Sequence, residues 1–402
     1  MIKRKILLGI LAFVTLVLLF RPNAKTNEIT FWTLQMGDFA PYINGIIEDF
    51  EAQYPDIKVK WVDVPFSEGE KRTLAAVMSN SPPDLVNLNP DFSALLAQKG
   101  ALMEIDEMYS YNFKPEIIKT LKYHGKLYSL PWYATSAVTI YNKDLLEKAG
   151  VRGVPTTYEQ LAAVSPTIRK SGVYSFMPNI TENDTMIKIL NKYGTADRVN
   201  SNDAMKVFAA FQKLYADDLI PKESVTQTHR EALEKYMAGQ IVFFQAGGNF
   251  LNIIRENAPE TYAVTDVAPQ IKGAAGQNDF SLMNFVIPLR AKNKENALKF
   301  LVFLTDEHYQ LELAKLTNVL VTNRKALNSR FYTDYNEGDL EAKARVISAE
   351  QLGRVSPSFT PRQNQKEINT LVNNAVQEIL LNKGSDVEIL NRTQEEIEKL
   401  AK

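Results

Sequence analysis

The side chains of this chain best suited to chemistry are aromatic rings and planar polar groups. They gather where short apolar runs end. Trp32, Gln35 and Asp38 come at the end of EITFWTL and just after it, and Asn87, Asn89 and Asp91 close the run PDLVNLN and the turn beyond it. Trp132, Tyr133 and Thr135 follow LYSLP, while Gln245, Asn249 and Phe250 follow IVFF. Met283 and Asn284 lie inside SLMNFVIP. A flat ring packs on the apolar C–H face of a pyranose, and a planar amide or carboxylate takes two hydroxyls at once. In an open α/β sheet such groups belong on loops at the carboxyl ends of strands. A neutral, hydroxyl-rich ligand suits this set.

Other chemistries find less support. The chain has no cysteine, which excludes disulfides, thiolate nucleophiles, Cys-ligated zinc and a lipidated N-terminal Cys. Of its three histidines, His124, His229 and His308, none is spaced with another as a metal-binding pair. No Gly-x-Ser-x-Gly elbow, phosphate loop or His-Glu-x-x-His helix is present. Asp217 and Asp218 are adjacent on a helix and so point to different faces. The reading is therefore no enzyme, no metal and no cofactor. A polysaccharide-acting enzyme, which needs two facing carboxylates ~5–10 Å apart, is the weaker alternative. With 46 basic and 47 acidic residues the net charge is -1, so no broad field draws in nucleic acid.

The elements that must position these groups are legible from periodicity. Strands are expected at 28–34, 57–64, 83–89, 240–247 and 281–288, with two short apolar segments around Pro131. Helices are expected at 41–54, 68–80, 143–150, from 154, and at 203–217, 229–238, 249–256, 294–304, 306–316, 364–382 and 386–401. Thr156 or Thr157 caps the helix beginning near 154. Strand, helix, strand, helix, strand at the start implies a parallel sheet with right-handed crossovers. At 402 residues the chain suits two domains, and the absence of a linker suggests that it crosses between them more than once.

The N-terminus carries its own signal. Lys3, Arg4 and Lys5 precede an unbroken apolar run from Ile6 to Phe20. This is the pattern of a secretory signal, and residues after Thr26 are expected outside the cytoplasmic membrane. The cleavage region lacks a small-x-small site, so 1–27 reads as a signal peptide or an uncleaved membrane anchor.

Five blocks together resemble the extracellular solute-binding proteins of the carbohydrate ABC importers, the family of the maltose-binding protein. They are ITFWTLQ with IIEDFEAQYPDIKVKWVDVP, PDLVNLNPDFSALLAQKGALMEID, LYSLPWYATSAVTIYNKDLLEKAGV with PTTYEQL, YMAGQIVFFQAGGNFLNII, and FVIPLRAKNKENALKFLVFLTDEHYQ. Where the family shows Gly-Pro-Trp, this chain has Gly247-Gly248-Asn249-Phe250. The resemblance implies an α/β, two-lobed periplasmic-binding-protein-like fold of type II. Each lobe would be a mostly parallel sheet flanked by helices, with the ligand cleft at the hinge. It implies one lobe of 28–134 plus 288–325 and another of 137–284 plus 330–402, with hinge segments near Thr135–Ala137, Asn284–Ile287 and Val321–Asn323. It also makes Arg362, in SPSFTPRQ, a late cleft residue. The implied function is extracytoplasmic capture of a di- or oligosaccharide or glycosylated polyol. A monomer would deliver it to membrane permease subunits. A ligand-sensing or scaffold relative is the alternative.

Each site residue also has a plainer reading. Phe31 and Trp32 alternate, so one must face a core. Asn87, Asn89 and Asp91 can each serve as helix caps. Trp132 and Tyr133, beside Pro131 at a lobe crossing, read as cleft-lining rather than core. Phe208, Phe211 and Tyr215 have helical spacing and read as core.

Overall fold

The computed structural model describes residues 27–79, 81–352 and 364–400. The N-terminal segment up to Thr26 and Arg362 therefore lie outside the described residues, as does the side chain of Asp38.

Two sheets organise the chain. The larger contains β1 (Glu28–Leu34), β2 (Lys58–Val64), β3 (Leu85–Leu88), β6 (Ser129–Thr135), β11 (Ser281–Val286) and β12 (Leu320–Val321), in the order β12-β6-β11-β3-β1-β2. The smaller contains β7 (Ala137–Asn142), β8 (Tyr174–Phe176), β9 (Ile241–Gly247) and β10 (Thr265–Pro269), in the order β10-β7-β9-β8. A ribbon of β4 (Lys122–Tyr123) and β5 (Lys126–Leu127) turns through His124 and Gly125. Both turn residues have positive φ, the geometry of a tight hairpin.

The opening strands and helices follow from their sequences. Alternation in EITFWTL buries Ile29 and Phe31 in one core and sends Trp32 to the opposite face. Helix Ala40–Gln53 buries Ile43, Ile46 and Phe50 on one stripe and ends just before Pro55. β2 lies at the sheet edge, which explains its exposed lysines. Its parallel pairing with β1, and that of β1 with β3, gives the expected parallel start. Elsewhere both sheets are mixed: β11 runs antiparallel to β3 and β6, and β7 antiparallel to β9 and β10. These pairings involve the strands that carry the chain from one sheet to the other.

The chain crosses between the sheets three times. Ser136 alone separates β6 from β7. Residues 270–280 return the chain from β10 to β11. After β12 it passes through helix Arg330–Thr333 to helix Leu340–Leu352, which packs on β7 and β10. Two expected hinge positions are thereby corrected. Asn284–Val286 is hydrogen-bonded inside the large sheet between β3 and β6, so the crossing lies before β11 and not at Asn284–Ile287. Thr322 is likewise held to β6 through its hydroxyl, it and Asn323 donate their N–H groups to Gln310 of helix Glu307–Thr317, and Tyr332 still packs in the core of the large sheet, so the chain leaves that sheet later than 321–323.

Pro131 sits inside β6, where it removes a ladder donor. The partner strand answers with a bulge between Met283 and Asn284. Thr322 Oγ1 lies 3.1 and 3.0 Å from the carbonyl oxygens of Pro131 and Trp132. In the second sheet's core Phe208 and Phe211 are buried and Tyr215 packs against them, as their spacing predicts. Thr157 caps helix Tyr158–Lys170, accepting from the Gln160 N–H. Among the described residues no helix is long and apolar enough to cross a membrane.

Candidate functional site

The loop after β1 is fixed by one carboxylate. Asp63 Oδ1 accepts from Thr33 Oγ1 at 2.6 Å and from the Met36 N–H at 2.9 Å. Gln35 then takes a left-handed turn (φ 53°), and its side chain is exposed beyond the carboxyl end of the strand. The backbone of Asp38 follows in the short helical turn Gly37–Phe39. Trp32 is half-buried against the Val86, Leu88 and Phe92 cluster, with the Arg72 guanidinium 5.7 Å from its ring centre. Its indole Nε1 is shut off from solvent and has no hydrogen-bond partner among the described residues.

An amide chain joins β3 to β11 and to the helix that follows β3. Asn87 Nδ2 donates to the Asn284 carbonyl at 3.2 Å, and Asn284 Nδ2 donates to Ser93 Oγ at 2.7 Å. Ser93 Oγ donates in turn to the Asn89 carbonyl at 2.9 Å. Asn87 and Asn284 are fully buried, so their donors tie β3 to β11 and β11 to the helix after β3, and do not face a cleft. Asn89 is the N-cap of helix Pro90–Gln98, its Oδ1 accepting from the Phe92 N–H at 2.8 Å. Its Nδ2 reaches Glu70 at 3.4 Å.

Asp91 is not the cap. It lies in the first turn of that helix, and its Oδ1 is cut off from solvent with no hydrogen-bond partner among the described residues. Burial, reinforced by the Asp184 carboxylate and only partly offset by Lys188, pushes its carboxyl up to about 6. Asp184 and Lys188 belong to the other sheet's side: Asp184 immediately precedes helix Thr185–Lys192, and Lys188 lies on it. They form an ion pair of 3.1 Å, and Lys188 Nζ reaches back to Ser281 Oγ of the large sheet at 3.4 Å. Burial works to lower the Lys188 ammonium, but the carboxylates of Asp184, Asp279 and Asp91 overcome it and hold it above its ordinary value. Glu70 of helix Phe66–Met78 is 4.0 Å from Lys366 of helix Gln365–Leu380. Groups from both sides thus meet at the ends of β1 and β3.

The remaining expected site residues are placed differently. Trp132 is fully buried, its ring 4.7 Å from Phe285 and 5.0 Å from Tyr133, in the core of the large sheet. The cleft-lining expectation for it is corrected: a β6 side chain on the helix-covered face of the sheet packs inward. Tyr133 is half-buried, and burial pushes its hydroxyl up to about 12. Gln245 is satisfied at both ends, donating to Thr139 Oγ1 at 2.7 Å and accepting from the Ile271 N–H at 3.1 Å. Phe250 packs against His229 and Phe244 with centroids 5.0 and 5.8 Å apart, within the second sheet's core. Thr135 and Asn249 meet at a recess near the first crossing, shared with Ser136, Asn318, Arg345 and Ser348. At about 20 Å³ this recess has room for a water-sized group and not for a pyranose.

Of the fourteen expected residues, Trp32, Asn89 and Asp91 therefore converge with the loop of Gln35. Glu70, Asp184, Lys188 and Lys366 went unnoticed in the sequence. Each is a charged residue on or beside a helix, with nothing in its local spacing to separate it from a solvated face.

The family model for bacterial extracellular solute-binding proteins matches residues 35–311. The chain belongs to this family. A binding protein of Brucella abortus (strain 2308) is 26% identical to this solute-binding protein over 97% of both chains. The diacetylchitobiose-binding protein of Streptomyces coelicolor is 23% identical, covering 80% of this chain and 78% of its own. Among solved structures, a Synechococcus sp. MITs9220 protein assigned to oligosaccharide binding in the periplasm superposes with a TM-score of 0.84 at 27% identity, covering 93% of this chain and 98% of that one. The solute-binding protein thus has the two-lobed α/β fold. Where relatives are expected to show Gly-Pro-Trp, its backbone runs through Gly247 and Gly248 and its Phe250 ring turns into the core.

Proposed function

We propose that this chain captures a neutral di- or oligosaccharide, or a glycosylated polyol, outside the cytoplasmic membrane and delivers it to an ABC permease. The observation that carries the ligand class is the facing set at the ends of β1 and β3. Trp32 brings a half-buried aromatic ring with Arg72 over it, Asn89 and Asp91 bring planar polar groups, and Asp184 and Lys188 approach from the other side. Carboxylates (Glu68, Glu70, Asp91, Asp184, Asp279) and cations (Arg72, Lys188, Lys192, Lys366) are interleaved there, a mixture suited to hydroxyls and not to a strongly charged ligand. A sugar bridging the two sides stabilises the closed arrangement of the lobes. The lobes follow the sheets, one built on β1–β6, β11 and β12 and the other on β7–β10 with the C-terminal helices. The cationic start and apolar run of residues 3–20 support export, with this segment either cleaved or kept as an anchor.

Isothermal calorimetry against a panel of di- and oligosaccharides and glycosylated polyols tests the assignment. One class is expected to give saturable heat at micromolar concentration. Silence across the whole panel, from protein that is folded by circular dichroism, would sink the sugar reading.

A further inference from the structure

The first two crossings between the sheets meet the helix that follows the third in one buried hydrogen-bonded knot. Ser136, the single residue of the first crossing, is 5% exposed, and its Oγ accepts from Gln270 Nε2 at 3.1 Å and from Gln351 Nε2 at 3.1 Å. Gln270 begins the second crossing and is 1% exposed. Its amide closes on the far end of the same crossing, donating to the Asp279 carbonyl at 3.2 Å and accepting from the Asp279 N–H at 3.1 Å. Gln351 comes from helix Leu340–Leu352, which follows the third crossing. Its Nε2 donates to the Ala137 carbonyl at 2.9 Å, and its Oε1 accepts from the Gln270 N–H at 2.7 Å. Its own carbonyl accepts from Asn278 Nδ2 at 3.0 Å. One side chain and its backbone thereby touch the first and second crossings from the helix that follows the third.

The helix carrying Gln351 belongs to two cores at once. Ala344 is in the buried cluster of the small sheet, with Leu340 and Ile347 packed against it. Leu352 is in the cluster of the large sheet, with Ala349 packed against it. Any rotation of one lobe on the other must slide this helix along one of those contacts. The second crossing is also fastened to the small-sheet side: Lys192 Nζ donates to the Ile271 carbonyl at 2.7 Å and pairs with Asp279 at 3.3 Å. The knot therefore fastens the helix and two crossings to one lobe, and leaves the bending to the residues beside it.

We propose that Gln351 is a positioning residue for lobe closure: with Gln270 and Ser136 it makes the first two crossings and the helix Leu340–Leu352 turn as one unit and sets the balance between open and closed forms. This rests on the reading of the protein as a closing trap, but its test needs no ligand. Because the chain has no cysteine, spin labels can be placed cleanly at Lys71→Cys and Glu367→Cys, exposed positions on helices that face each other through the Glu70–Lys366 pair. Pulsed electron-spin distance measurement on the otherwise intact, ligand-free chain reads the lobe separation. Gln351→Met keeps the side-chain volume and removes the amide. It is expected to broaden the distances and to shift the ratio of short to long populations by about tenfold, the scale of one buried hydrogen bond left unmet. Ser136→Ala removes the shared acceptor with little change in volume and is expected to move the ratio in the same direction. It decides the matter alone if Gln351→Met does not fold. The double variant is expected to shift no further than the larger single one, because both break the same knot. Loss of thermal stability with wild-type distances in the folded variants overturns the proposal, since the amides would then serve packing only. Failure of sugar binding would leave this result unaffected.

Discussion

Asp91 is the clearest case of a side chain that costs the fold something. Its carboxyl rises from the ordinary 3.8 to about 6, chiefly through burial and then through Asp184. A folded-state value above the unfolded one favours the neutral acid. The associated stability is fully present below about pH 3.8 and is lost as pH rises through about 6. At neutral pH the ligand-free protein therefore carries a disfavoured carboxylate, worth at most about 3 kcal/mol and less to the extent that solvent and the helix N-terminus relieve it. Asp91→Asn is expected to melt higher than wild type at pH 7, with the gap closing toward pH 4. Parallel melting curves across that range would contradict the assignment. The same substitution is expected to weaken sugar binding by at least about tenfold, because a hydrogen bond to a charged group is worth about 1.5–3 kcal/mol. The sequence displayed Asp91, Asn89 and Trp32 as polar or aromatic residues at strand ends, and that much was legible. It could not tell Trp132 from a cleft residue, since a proline beside two aromatics looks alike on either face of a strand. Nor could it show that Asn87 spends its amide on β11 and Asn284 its amide on Ser93 of the helix after β3.

At the scale of elements, periodicity worked wherever one face was buried and one wet. Helices Ala40–Gln53, Asn202–Ala216 and Gln365–Leu380 all show a single buried stripe, and their limits fall within a residue or two of expectation. Helix Leu340–Leu352 went unread for the opposite reason. Ala342, Ala344, Val346, Ser348, Gln351 and Leu352 are buried around its circumference, so no stripe exists to detect. β8 and β10, of three and five residues, are too short to carry an alternation. Two glycines test how the elements are held. Gly45 lies inside helix Ala40–Gln53, and a Cβ there would meet nothing within 4 Å. Gly45→Ala is expected to stabilise by about 0.5–1 kcal/mol through helix propensity. Gly273, in the second crossing, would place a Cβ 2.6 Å from the Lys192 carbonyl oxygen, which is backbone and cannot swing aside. Gly273→Ala is expected to destabilise by about 1–3 kcal/mol. Denaturant unfolding of both variants checks the pair, and equal shifts would show that the crossing is not clamped against that helix end.

For the whole molecule, the two-lobed plan was legible only through the order of five sequence blocks. Composition and periodicity alone gave two domains without saying how the chain divides between them. The hinge positions were misjudged because SLMNFVIP reads as one apolar strand wherever it is placed, and only its pairing with β3 and β6 assigns it to the large sheet. What the plan implies can be measured on the protein as a unit. Away from the crossings, two contacts between the lobes at the ends of the strands are weak: Glu70–Lys366 at 4.0 Å is an exposed pair, and Lys188 reaches Ser281 at 3.4 Å. A solvent-exposed pair contributes about 0–1 kcal/mol and is screened by salt. Such contacts add little to closure, and a ligand held between them is expected to supply closing free energy of its own. A sugar present at about one hundred times its dissociation constant adds about 2.7 kcal/mol to the stability of the form that binds it. Thermal melting is therefore expected to rise with the logarithm of sugar concentration, together with a fall in the radius of gyration measured by X-ray scattering. Raised melting with an unchanged radius would mean that the sugar is held by one lobe alone, and the closing trap would have to be abandoned even though the binding stood.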